Sequence, residues 1–211
     1  MTRVHRLNVM VLTFMQGFLS MGFQLVASRL LAPHFGMTII VWAVLISTFL
    51  AAFSVGAFVG GAVCQLHERA RTRAAAALLT VGVVWFALVA FAGRPLLRMI
   101  ESTFEDTATG AGTACLGLFF VPVVSLSSLL PIYAEMSSRS ELGAGAVSGL
   151  IYGTSTLGNI TGVLVTAFLL IPRFATSELL IGWFAVSIAC VIGSLVAAKG
   201  SHSSIRERIT P

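Results

Sequence analysis

Six stretches of almost unbroken apolar residues divide the chain, at about 8–33, 38–65, 74–93, 112–134, 146–171 and 177–198. A helix needs roughly 20 apolar residues to cross a bilayer, and each stretch is about that long or longer. The polar connections between them are short, so the pattern predicts an all-α integral membrane protein of six transmembrane helices in one domain, residues 1–199. A polar, basic and loosely ordered tail is expected over 200–211. The first stretch follows Arg3 and Arg6 as a signal peptide's would, but it is too long for such a segment. It is expected to be a retained helix.

The polar positions inside these stretches carry more information than the apolar ones. Gln16, Ser20, Gln24 and Ser28 recur every four residues and so share one drifting face of the first helix. Hydrocarbon offers an amide no partner, so this face is expected to look into the bundle, either bonding neighbouring helices or lining a substrate path. Arg29 follows, as a snorkelling side chain or a paired one. Pro33 and Gly36 are expected to end the helix, with His34 solvated in the turn and Trp42 anchored at the membrane interface near the start of the second helix. The second helix repeats small residues at Ala52, Gly56, Gly60 and Cys64, a spacing that lets helices approach closely. The fifth repeats the pattern at Thr154, Gly158, Gly162 and Thr166. Beside it Tyr152, Ser155, Thr156 and Asn159 form a polar patch, and Asn159 calls for a hydrogen-bond partner. Pro122 and Pro131 should bend the fourth helix, with Ser125, Ser127 and Ser128 helping to satisfy the disturbed backbone. Residues 94–101 read as a separate amphipathic segment lying at the interface after the third helix. Glu101, Glu105 and Asp106 read as a solvated acidic loop, and Glu135 as a surface acid near Arg139.

Composition agrees with the pattern. The 211 residues are 57% hydrophobic and 10% charged, with a mean hydropathy of +0.96, whereas soluble domains carry about 25% charge. The net charge of +5 is spread over segment ends and not gathered into a basic face, which argues against nucleic-acid binding. Placing the N-terminus inside puts Arg3, Arg6, Arg69, Arg71, Arg73, Arg139, Lys199, Arg206 and Arg208 on the cytoplasmic side, against Arg94, Arg98 and Arg173 outside. By the positive-inside rule both termini are then cytoplasmic, and the plasma (inner) membrane is the expected location. Cys64, Cys115 and Cys190 have apolar neighbours and no paired spacing, so neither a disulfide framework nor a metal site is expected. No motif calls for a cofactor or supplies a catalytic residue.

The run Arg29-Leu30-Leu31-Ala32-Pro33 with Phe35-Gly36, then Trp42 and Gly60-Gly61, resembles the first two helices of the membrane domain of membrane-bound spermidine synthase-like proteins. Pro131-Ile132-Tyr133-Ala134-Glu135 and the stretch from Ser155 to Pro172 resemble that family's fourth and fifth helices. The resemblance implies a half bundle related to the major facilitator transporters, built as a three-plus-three inverted repeat in which helices two and five are equivalent. It departs from the family at Gln24, where relatives often have Glu, and at Ala175, which stands for a glycine. Gln65 stands about where the facilitator loop after helix two has Asp.

The resemblance reaches only the membrane part, so the chain is not expected to perform the synthase reaction. Two functions stay open. One is a module that transports or channels polyamines or related small cations, as a homodimer or with a separately encoded synthase-like protein. Its candidate path is Gln16, Ser20, Gln24, Arg29, Tyr152, Ser155 and Asn159. The other is a non-catalytic accessory or scaffold subunit of a larger membrane complex, packing through its small-residue faces at Ala52, Gly56, Gly60, Gly158 and Gly162. The two differ in whether Gln24, Arg29 and Asn159 converge on a hydrated cavity or are packed dry.

Overall fold

The computed structural model describes residues 3–137 and 143–207, and among these it is all-helical. Helix α1 is Arg3–Phe35, α2 is Ile39–Cys64 and α3 is Glu68–Thr103. Helix α4 runs Thr107–Ser137, and α5 is Ala144–Val165 continued by a π-helical turn, Thr166–Leu170. Helix α6 is Thr176–Glu207. Five of them are long and apolar enough to cross a membrane, which makes this a multi-pass membrane protein; the apolar part described for α6 is Thr176–Ile192.

Several boundaries differ from the sequence pattern, each for a local reason. Pro33 does not end α1 but lies within its last turn. The stop is Gly36, whose φ of 74° is the left-handed conformation glycine tolerates, and its N–H bonds Ala32 O at 3.0 Å. His34 is therefore helical, not solvated in a turn, and its Nδ1 lies 2.6 Å from Glu101 Oε2. The expected interfacial segment 94–101 is no separate element, because α3 continues straight through Pro95. At 1.5 Å per residue its 36 residues reach about 54 Å, well beyond the roughly 30 Å of hydrocarbon. Asp106, expected as a solvated loop acid, caps α4: its carboxylate accepts from Thr109 N at 2.9 Å and from the Thr109 hydroxyl. The α6 backbone stays helical to Glu207, into the tail expected to be loose. Glu135 is a surface acid, with Arg71 at 3.9 Å; Arg139 lies outside the described residues.

Helix α4 bends as its prolines require. It passes through Thr107–Ala114, a π-helical stretch Cys115–Phe120, Val121–Ser127 and, after a break at Ser128, Leu129–Ser137. Pro122 has no N–H to give Gly117 O, its partner in the π-helical register, and the indole Nε1 of Trp85 donates to that carbonyl at 3.0 Å instead. The serine hydroxyls bond backbone carbonyls of the same helix, though not those the prolines leave without a donor: Ser125 Oγ donates to Val121 O at 3.1 Å, Ser128 Oγ to Ser125 O at 2.8 Å and Ser127 Oγ to Val123 O at 2.8 Å.

The core forms where α1 meets α2, α3 and α4. Phe23 sits against Phe49, Phe86 and Phe119 with ring centroids 6.0, 4.7 and 5.6 Å away, the last two edge-on. Trp42 is half-buried against this core. A smaller cluster, including Val9, Leu79, Leu129 and Ile151, fills the other end. In lipid this burial brings little hydrophobic gain between helices, so close packing and hydrogen bonds must hold the bundle.

Candidate functional site

Two helix pairs, α1 with α5 and α2 with α4, pack most extensively. A Cβ added at Gly158 would strike Phe14 O, one at Gly162 Phe18 O, and one at Gly17 Ser155 O. The small-residue face of α5 thus seats on the backbone of α1, which returns a glycine of its own. Helix α2 packs against α4 in the same way. A Cβ at Gly56 would strike the Ser127 hydroxyl and one at Gly60 the Ser128 carbonyl, while Ser127 Oγ reaches Ala52 O at 3.2 Å.

This packing decides where the polar face of α1 goes. Gln16, Ser20, Gln24 and Ser28 are all buried. On the opposite face Leu7 and Val11 are exposed and Met15, Phe18, Met21 and Leu25 are half-buried. The polar stripe therefore points into the bundle and the apolar one outward. Ser155 Oγ donates to Gln16 Oε1 at 3.2 Å across the α1–α5 contact. Ser20 Oγ bonds Gln16 O, and Ser28 Oγ bonds Leu25 O, both at 2.8 Å. Gln16 also borders an interior cavity with Ser125, Tyr133, Ser187 and Cys190. Its volume is about 10 Å³, room for about one water.

The remaining candidates do not join this group. Tyr152 is exposed, at 48%. Asn159 is half-buried beside Gly17, and among the described residues its side chain makes no hydrogen bond, contrary to the expected partner. Gln24 is buried one helical turn before Ser28. Arg29 lies at the far end of α1, where Nη1 donates to Ile171 O at 2.7 Å and Phe174 O at 3.0 Å. These carbonyls lie at and beyond the end of α5, so Arg29 closes the α1–α5 pair. It also borders a cleft of about 460 Å³ with His34, Arg94, Arg98 and Thr176. The seven candidates therefore divide into buried or half-buried residues on α1 and α5, an exposed Tyr152 and an arginine at a basic cleft at one end.

Sequence reasoning missed two groups on α6. Trp183 Nε1 donates to Leu19 O at 3.0 Å, and Ser187 borders the interior cavity. Their four-residue spacing in an apolar helix was the available signal. Thr166, read from the sequence only as part of the small-residue face of α5, has a buried hydroxyl with no partner among the described residues. Those residues hold no cluster of His, Cys, Asp or Glu that could bind a metal. No disulfide joins the three cysteines among the described residues; Cys115 is buried, and Cys64 and Cys190 are half-buried. No protein-family model, curated protein or solved structure matches this chain.

Proposed function

We propose that this chain is a non-catalytic structural subunit of a larger membrane assembly, a six-span, facilitator-like half bundle that does not itself transport. The observation that carries this reading is the inward turn of the α1 polar stripe onto neighbouring helices, around a cavity that holds about one water. A path for a polyamine needs a wet channel and, in a low-dielectric interior, a carboxylate to balance the cation. Of the eight acidic residues of the sequence, the seven that are described, from Glu68 to Glu207, fall at or near helix ends or in the connections between helices.

The pairing of helices supports the inverted-repeat architecture. Helix α5 lies on α1 as α2 lies on α4, α6 meets α1 as α3 meets α4, and α3 meets α6. This is the pattern left by exchanging α1–α3 with α4–α6. The charge bias supports a reading in which both termini are cytoplasmic and the bundle lies in the plasma (inner) membrane. Apolar residues exposed on α2, such as Leu50 and Phe58, and on α5, such as Leu157 and Phe168, are then available to lipid, to a second copy or to other subunits. A separately encoded synthase-like protein is one such partner under the family resemblance.

The test is purification from the native membrane in gentle detergent, with mass spectrometry of what co-elutes. Stoichiometric recovery with other membrane subunits is expected. Recovery alone or as a homodimer, together with polyamine uptake by reconstituted liposomes that Gln16→Leu abolishes, would overturn the reading in favour of transport.

A further inference from the structure

The basic cleft has a composition that the packing of the bundle does not explain. Arg94 and Arg98 are four residues apart on α3 and so share a face, an arrangement of like charges that weakens a helix when nothing neutralises it. Arg29 brings a third guanidinium from α1. Its Nη1 is held by two carbonyls of the chain beyond α5, which fixes the group at the cleft wall. The nearby acid Glu101 is bonded to His34, and Glu178 accepts from Ala175 N at 2.8 Å. Among the described residues, none of the three arginines has a carboxylate within ion-pair distance. Thr176 adds a hydroxyl from the first turn of α6.

The surroundings define what kind of anion fits. Phe91 lies one turn before Arg94 on α3, is 69% exposed, and meets Phe184 of α6 edge-on at 6.1 Å. Below the arginines, toward the middle of α3, the surface is thus aromatic and open. Leu30 and Pro33 form an apolar wall beside the guanidiniums. Guanidinium groups match the oxygens of a phosphate in paired hydrogen bonds, and an amphiphile places its phosphate above an apolar body. We propose that this cleft binds a phosphate group carried by an anionic phospholipid of the surrounding leaflet. The phosphate lies among Arg29, Arg94 and Arg98, and an acyl chain runs over Phe91 and Phe184. The site would tie α1, α3 and α6 together at their common end. It requires only that the bundle lies in a membrane, whatever its partners are.

The full chain would be reconstituted in nanodiscs of phosphatidylcholine alone and of phosphatidylcholine with phosphatidylglycerol, then released for native mass spectrometry. Retention of phosphatidylglycerol by the wild type is expected, with at least about a tenfold loss of affinity in Arg94→Gln/Arg98→Gln. Arg29 stays untouched because it also holds the end of α5. Arg69→Gln/Arg73→Gln, which makes the same change of net charge at the opposite end, should retain the lipid like the wild type. Arg94→Lys/Arg98→Lys serves if the glutamine variant fails to fold, and should retain the lipid more weakly than the wild type. Equal retention by wild type and cleft variants would overturn the proposal, as would none by the wild type. Displacement of the lipid by inorganic phosphate at comparable concentration would overturn the lipid assignment and make this a site for a soluble phosphate.

Discussion

Adding one methyl group at Gly158 should loosen the whole bundle, and the size of the effect follows from what that methyl would meet. The new Cβ would overlap the carbonyl oxygen of Phe14, which belongs to helix backbone and cannot rotate away. Helices α1 and α5 must then part by on the order of 1 Å, and a gap of that size forfeits roughly a quarter to a half of the dispersion attraction of each facing atom pair. Overpacking of this kind costs about 1–3 kcal/mol, and the backbone collision puts Gly158→Ala near the upper value. Leaving glycine for alanine returns about 1 kcal/mol of helix propensity, so the net loss is about 2 kcal/mol. Gly153, on the same helix, has nothing within 4 Å of an added Cβ. There the same substitution keeps only the propensity term and stabilises by up to about 1 kcal/mol. Gly17→Ala strikes the same interface from the other side, at Ser155 O. Once one methyl has separated the helices the second meets less resistance, so the double variant should lose less than the sum of the two singles. Equilibrium unfolding in mixed micelles, followed by tryptophan fluorescence, measures all four. If Gly158→Ala matched Gly153→Ala, the close approach of α1 and α5 would be wrong, and with it the reason the polar stripe faces inward.

Other expectations follow from single groups. Arg29→Gln removes charged hydrogen bonds to Ile171 O and Phe174 O and should cost about 1.5–3 kcal/mol in the same assay, with Arg29→Lys recovering only part because its ammonium lacks the planar fork. Thr166→Val replaces a buried hydroxyl that has no partner, so it should be neutral or stabilise by about 1 kcal/mol; a clear loss would mean the hydroxyl is bonded. Trp85→Phe strands the Gly117 carbonyl and should destabilise by about 1–3 kcal/mol, accompanied by faster hydrogen exchange in α4 around Pro122. The Thr109 hydroxyl and backbone N–H hold the Asp106 carboxyl below its ordinary value. The cap's contribution is therefore complete above the ordinary carboxylate pKa and is lost as pH falls through the lowered one. The difference in melting temperature between wild type and Asp106→Ala should accordingly close in acid, and a constant gap would rule out the charged cap.

Much of the helical layout was legible because lipid leaves the backbone few choices, so long apolar runs separated by charges had to become helices. What periodicity did not reveal was where each helix stops. Pro33 and Pro95 look like terminators, yet both sit inside helices, since each removes only one backbone hydrogen bond and, among the described residues, only Gly36 supplies the left-handed turn. The small-residue faces of α2 and α5 were legible as packing faces. Their partners were not, since Gly17 is a single glycine with no stripe to announce it. The polar stripe of α1 was legible as buried, but not whether it met water or protein. That depended on Ser155 and on Ser125, Ser187 and Tyr133, which come from three other helices. The basic cleft was the least legible feature, because it joins residues from 29 to 176 that only the bundle brings together.

These features together place the chemistry of this protein at the ends of its helices. A bundle held by backbone-to-backbone contact at Gly17, Gly158 and Gly162 has little room to rock internally, since any sliding of α5 on α1 drives Cα atoms into carbonyls. Motions that open a path through the bundle would have to break that contact and the Gln16–Ser155 hydrogen bond at once. Rigid movement of the whole bundle against another body requires neither. A unit of this kind can serve as one side of a larger assembly, presenting apolar faces along its length and guanidiniums at one rim, without changing its own interior. That separation is the physical ground for the proposed structural role. It also predicts that substitutions in the arginine cleft alter lipid binding while leaving the unfolding free energy set by α1 and α5 nearly unchanged.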